Sequence, residues 1–130
     1  MHSHQPDSNR DGATIDAAAL LSRCMDQASV ALLVLDKFGR QLAADVERTR
    51  SSLRDGDAAD LSRVSHSVKG AAGMVSARAL CSIASDLEQA ARACDLERAA
   101  ALVRSLAAEA DRCLAAIPEA RAALARRGGA

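Results

Sequence analysis

The residues best equipped for chemistry fall between positions 62 and 73, where His66 stands in the run Ser65-His66-Ser67-Val68-Lys69-Gly70-Ala71-Ala72-Gly73. If the run is helical, Leu61, Val64, Val68, Ala72 and Val75 cluster within about 80° of one another, and His66 projects nearly opposite their mean direction. The imidazole then faces water, which excludes a core histidine. Ser62, Lys69, Gly70 and Gly73 share its face at i−4, i+3, i+4 and i+7. Two glycines in one helix cost about 1 kcal/mol each relative to Ala. Neither helix stability nor core packing accounts for them, whereas clearance for a partner, or for a group attached to the ring, does. A free imidazole, with a pKa of about 6.5, is mostly neutral at pH 7 and is a nucleophile that needs no base. Attack by a ring nitrogen on an acyl phosphate gives a phosphoramidate, and an ammonium one turn on, at Lys69, is suited to holding a phosphoryl oxygen.

The elements that must position this run are helices. The chain carries 31 alanines and 15 leucines with one aromatic residue, Phe38, a composition rich in helix formers of low bulk. A short first helix is expected from Asp16 to about Met25, capped by Thr14 or Asp16 and burying Ile15, Leu20 and Leu21. After a turn at 26–29, apolar residues recur at Val30, Leu33, Val34, Phe38, Leu42, Val46, Thr49 and Leu53 and predict the longest helix, with Gly39 inside it. Gly56 stops that helix and Asp57 caps the next, Ala58 to about Met74. Ser76 is read as the cap of a fourth helix with Leu80, Ile83, Ala84, Leu87, Ala91 and Cys94 on its stripe. Asp95 is read as the cap of a fifth with Ala99, Val103, Leu106, Ala110, Cys113 and Ile117. Pro118 is expected at the first position of a short tail helix. The fold class predicted is all-α: an antiparallel up-down four-helix bundle with a short N-terminal capping helix and a short C-terminal one. Residues 1–12 form a polar leader expected to be disordered, 13–118 the bundle and 119–130 the tail helix.

Composition narrows the function classes. Lys and Arg total 17, as do Asp and Glu, so the chain lacks the basic footprint and stacking aromatics of a nucleic-acid reader. The longest apolar run, Val30 to Leu35, is far short of a membrane span, which needs about 20 residues, and no signal-peptide region precedes it, so no membrane association and a cytoplasmic location are expected. Cys24, Cys81, Cys94 and Cys113 show no C-x-x-C spacing and read as reduced residues on or beside apolar stripes. No Gly-rich phosphate loop, Walker motif or carboxylate cluster is present, so neither ATP chemistry nor a metal or cofactor site is expected. A metal bundle would need ligands directed into the core, and His2 and His4 in the leader make a poor site. Glu88 and Arg92, at i and i+4 on the helix after that of His66, read as a solvated surface pair, with the rim of a docking face as the alternative. No long uncovered apolar face demands a dimer, and a monomer is expected.

The run around His66, followed by Leu80 and then Leu87-Glu88, resembles the H-x-x-K-G signature and downstream L-E of histidine-containing phosphotransfer (HPt) domains. The resemblance spans roughly Ile15 to Ile117 and implies an antiparallel four-helix bundle with an extra N-terminal helix. It implies a phosphorelay intermediate, without kinase activity of its own, that takes a phosphoryl group from a receiver-domain aspartate and passes it to a response-regulator aspartate. His66 matches the phosphoryl-accepting histidine, Lys69 the lysine that stabilises the phosphohistidine, and Gly70 the glycine that leaves space for docking. The partners implied are receiver domains of a hybrid histidine kinase and of a response regulator, with Mg²⁺ supplied by the receiver. Ser76 departs from the pattern, since many members have Gly before Ala in that turn. The alternative reading is a non-phosphorylated helical module that binds receiver or kinase domains by docking alone.

Overall fold

The computed structural model describes residues 13–129, so the leader at 1–12 lies outside the described residues. Five helices follow in order: α1 (Ala17–Arg23), α2 (Ala28–Arg54), α3 (Ala58–Met74), α4 (Arg78–Arg92) and α5 (Leu96–Gly129). The long helices close a ring in which each packs on its chain neighbour and α5 returns to α2, while α1 lies against α2 and α5. Three-residue connections between the long helices reverse the chain each time and make the bundle antiparallel. The expected antiparallel four-helix bundle with a short N-terminal helix is therefore the observed one, without a separate C-terminal helix. Among the described residues no single helix is long and apolar enough to cross a membrane.

The core is built from fully buried Leu20, Leu35, Leu61, Leu80, Leu87, Leu106 and Leu124, interleaved with buried alanines such as Ala31, Ala72, Ala84 and Ala99. Small residues between leucines let the helix axes approach closely. Gly39 serves the same end, since a Cβ there would stand 2.8 Å from Ile117 Cδ1 of α5. At the start of α2 the expected stripe is out of phase: Val30 and Leu33 are exposed, and Ala31 and Leu35 face inward. Bulk is a poor guide where an alanine occupies the inward position.

Asp16, Asp57 and Asp95 cap helices as expected, accepting hydrogen bonds from the N–H groups of Ala19, Asp60 and Arg98 at 3.0, 3.0 and 3.1 Å. Ser76 does not cap α4, whose N-cap is Ala77 without a side-chain bond. It instead closes α3, with φ at 55°, while Ala77 N–H donates to Ala72 O at 2.8 Å. The same closure ends α1, α2 and α4, with Met25, Gly56 and Cys94 in the left-handed position. Cys94 is thereby carried off the α4 stripe and is exposed, contrary to expectation. Only Gly56 holds this conformation without steric cost. Ser76→Gly is expected to stabilise the fold by about 1 kcal/mol, read as a higher urea midpoint with an unchanged slope. An unchanged or lower midpoint would show that the Ser76 side chain contributes more than its backbone costs.

Pro118 does not begin a separate tail helix but lies inside α5, which continues to Gly129. The lost N–H bond is offset beyond the proline by burial of Ala120 and Leu124 and by an ion pair from Arg121 to Asp36 of α2. The other cysteines fit the reduced reading. All four are free, and burial pushes the Cys113 thiol up to about 12, which makes it inert.

Candidate functional site

The N-terminal turn of α3 is tied to α2 by Asp60. Its carboxylate accepts from Arg48 Nε at 3.2 Å and Nη2 at 2.6 Å, from Ser52 Oγ, and from Arg63 Nη2 at 3.4 Å. The bidentate Arg48 guanidinium, above all, and the Ser52 hydroxyl hold this carboxyl well below the usual range. Leu61, Val64, Val68 and Ala72 then seat α3 in the core, and Ser65 is satisfied internally by donating to Leu61 O at 2.7 Å. With that face fixed, His66 must point outward, and its side chain is 66 % exposed.

His66 does not stand alone. Its Nδ1 lies 3.0 Å from Glu88 Oε2 on α4, Lys69 Nζ lies 2.9 Å from Glu88 Oε1, and Arg92 Nη2 donates to Glu88 Oε2 at 2.9 Å. The Glu88 side chain is only 6 % exposed. The hydrogen bond from Lys69, followed by that from His66 and the positive charges of Lys69 and Arg92, holds its carboxyl below the usual glutamate range, against the opposing effect of burial. An ionised carboxylate can only accept, so Nδ1 carries the ring proton. In the neutral ring the lone pair is then on Nε2, on the side of the ring away from Glu88.

Of the three residues singled out from sequence, His66 and Lys69 are brought together through Glu88, one on each oxygen. A Cβ built at Gly70 or at Gly73 would meet nothing within 4 Å. Packing within the chain therefore does not require either glycine. Glu88 and Arg92 are the residues beside His66 that sequence reasoning undervalued: Glu88 is buried, not solvated. It lies about 90° from the mean direction of the α4 stripe, one turn from each of the buried small residues Ala84 and Ala91, which leave room for it beside the core. That flank, together with the L-E of the motif, is the signal that could have found it.

Around the ring, Ser62, Arg63, Ser67 and Arg92 line a shallow open depression, and beyond Gly70 and Gly73 an apolar groove runs between α2 and α3, lined by Val34, Phe38, Ala71 and the exposed Met74. Among the described residues no group of three or more His, Cys, Asp or Glu could hold a metal ion.

Comparison with known proteins converges on the same region. The family model described as Hpt domain matches residues 33–123. The solved structure of histidine-containing phosphotransfer protein B from Pseudomonas aeruginosa PAO1 superposes with a TM-score of 0.77 at 25 % sequence identity, covering 85 % of this chain and 96 % of that one. No curated protein matches the chain.

Proposed function

Because the chain belongs to the Hpt domain family, whose members are phosphocarriers in phosphorelays and not kinases, we propose that His66 accepts a phosphoryl group from a receiver-domain aspartate and passes it to the aspartate of a response regulator. The observation that carries this reading is the buried, ionised Glu88 on Nδ1, which leaves Nε2 as the nucleophile with the Lys69 ammonium on the same carboxylate. In the forward step the Nε2 lone pair forms a bond to phosphorus. The bond from phosphorus to the aspartyl oxygen breaks, and its electron pair leaves on the carboxylate. The ring keeps its Nδ1 proton and becomes cationic, and Glu88 offsets that charge. Transfer onward is the reverse, with the second receiver's carboxylate as nucleophile and Nε2 as leaving group. Lys69 supplies positive charge to the phosphoryl oxygens, and Mg²⁺ belongs to the receiver. The carrier works as a monomer presenting one face.

That face is the open surface past His66, where Gly70 and Gly73 add no side-chain bulk and the groove at Phe38 and Met74 offers apolar area to a receiver. Gly70 is proposed to give clearance, and its replacement separates docking from folding. Gly70→Gln is expected to leave the fold intact and even stabilise it, by up to about 1 kcal/mol from helix propensity, while slowing transfer from a receiver at least tenfold. A Gly70→Gln protein that transfers at the wild-type rate would remove the assigned role.

The reading is tested by incubating the protein with a receiver domain charged by a small phosphodonor and Mg²⁺, followed by intact-mass spectrometry. One added phosphoryl group, labile to acid and lost on addition of a second receiver, is the expected result. Stable binding to receivers without any gain in mass would favour the docking module instead.

A further inference from the structure

Lys69 has two claims on it. Among the described residues its ammonium is the donor to Glu88 Oε1, whereas Oε2 is shared by His66 Nδ1 and Arg92 Nη2. To serve a phosphoryl group on Nε2, Lys69 must turn from a carboxylate that is almost wholly buried. A buried carboxylate oxygen left without a donor carries a large desolvation penalty, which would hold Lys69 where it is. The cost disappears if another donor takes its place.

Arg92 is the group that can do so. It sits one turn beyond Glu88 on α4, its side chain is 69 % exposed, and it engages the carboxylate through one nitrogen only. A guanidinium is a planar fork matched to both oxygens of a carboxylate, a geometry that an ammonium cannot reproduce. We propose that Arg92 is a positioning residue: when His66 is phosphorylated, Arg92 closes on both oxygens of Glu88 and releases Lys69 to the phosphoryl group. Each oxygen keeps a donor throughout, the ring N–H keeps its hydrogen bond to Oε2, and the ammonium released is the one on the other oxygen of the same carboxylate. This rests on phosphoryl carriage by His66, which the wild-type control tests separately.

The experiment compares wild type, Arg92→Ala, Arg92→Lys, Lys69→Ala and the double variant Lys69→Ala/Arg92→Ala, each charged by the same receiver and then freed of it. Two quantities are read: the half-life of the phosphohistidine and the pH at which its ³¹P resonance titrates, which a nearby ammonium lowers. Arg92→Ala is expected to shift both in the direction of Lys69→Ala, with a half-life altered about fivefold. Arg92→Lys is expected to behave like Arg92→Ala, because it keeps the charge and loses the fork. The double variant is expected to match Lys69→Ala alone. Wild-type values in Arg92→Ala, full rescue by Arg92→Lys, or effects that multiply in the double variant would each overturn the release mechanism, the last by showing that Arg92 meets the phosphoryl group independently. If wild type gains no phosphoryl group, the carrier reading itself fails and the inference goes with it.

Discussion

His66→Gln is expected to abolish phosphoryl uptake from a charged receiver while the protein unfolds at the wild-type temperature. The two halves of this result have separate causes. The His66 side chain is largely exposed, and its polar contact among the described residues is the hydrogen bond to Glu88. A glutamine amide N–H can replace that donor, so Glu88 keeps its partners, and the change in stability should stay within the ±0.5 kcal/mol or so typical of surface substitutions. The amide nitrogen, however, has no free lone pair to attack phosphorus. With the imidazole gone, the loss should be complete. Intact mass after incubation with the receiver, read alongside a thermal melt, decides the matter. A phosphoryl group retained on the variant would move the acceptor elsewhere, with His2 and His4 the first places to look. A lower melting temperature would show that the ring carries structural weight which its exposure does not suggest.

Why His66 was legible in the sequence, and Glu88 was not, follows from how each is specified. The direction of His66 is set by local periodicity: Leu61, Val64, Val68 and Ala72 all turn inward, and the opposite face is then fixed by the helix itself. The N-caps at Asp16, Asp57 and Asp95 are equally local, since each needs only a carboxylate and an amide three residues on. Glu88 depends on a neighbour. Its position on the flank of the α4 stripe allows either solvent or burial, and the choice is made by His66 and Lys69 arriving from α3, 22 and 19 positions earlier in the chain. Charge type alone favours the solvated reading, which is correct for the exposed Arg50–Glu47 pair on α2. The errors at Ser76, Cys94 and Pro118 share another origin. Each of these residues has a local preference that tertiary packing overrides: two accept a left-handed backbone so that the helices can reverse in three residues, and the third is spanned because α5 has buried partners on both sides of it. The early phase slip in α2 arises because the stripe there is set by an alanine.

The second large effect is expected at Glu88. In the phosphoryl uptake proposed for His66 the ring would pass from neutral to cationic while its Nδ1 proton keeps the hydrogen bond to Glu88, so the carboxylate would stabilise the product side of the step more than the free ring. A hydrogen bond to a charged group is worth about 1.5–3 kcal/mol, which corresponds to roughly 10- to 100-fold in rate when the bond is realised fully only as charge develops. Glu88→Ala should slow single-turnover uptake by that order. Glu88→Gln should fall between, because its carbonyl can still accept from Nδ1 but supplies no negative charge. Stability should respond differently. The folded carboxyl of Glu88 is held below its ordinary value, chiefly by Lys69, so it binds fewer protons than in the unfolded chain. The resulting stabilisation is fully present above the unfolded glutamate pKa and is lost as pH falls through the folded one. Wild type should therefore lose more of its urea resistance than Glu88→Gln as pH drops below the usual glutamate range, and the two curves should run parallel near neutrality. An uptake rate at pH 7 that is unchanged in Glu88→Ala would sink the orienting and charge-balancing role. A slow variant whose acid sensitivity equals that of wild type would keep the catalytic role and remove Glu88 from the groups that make the fold depend on pH.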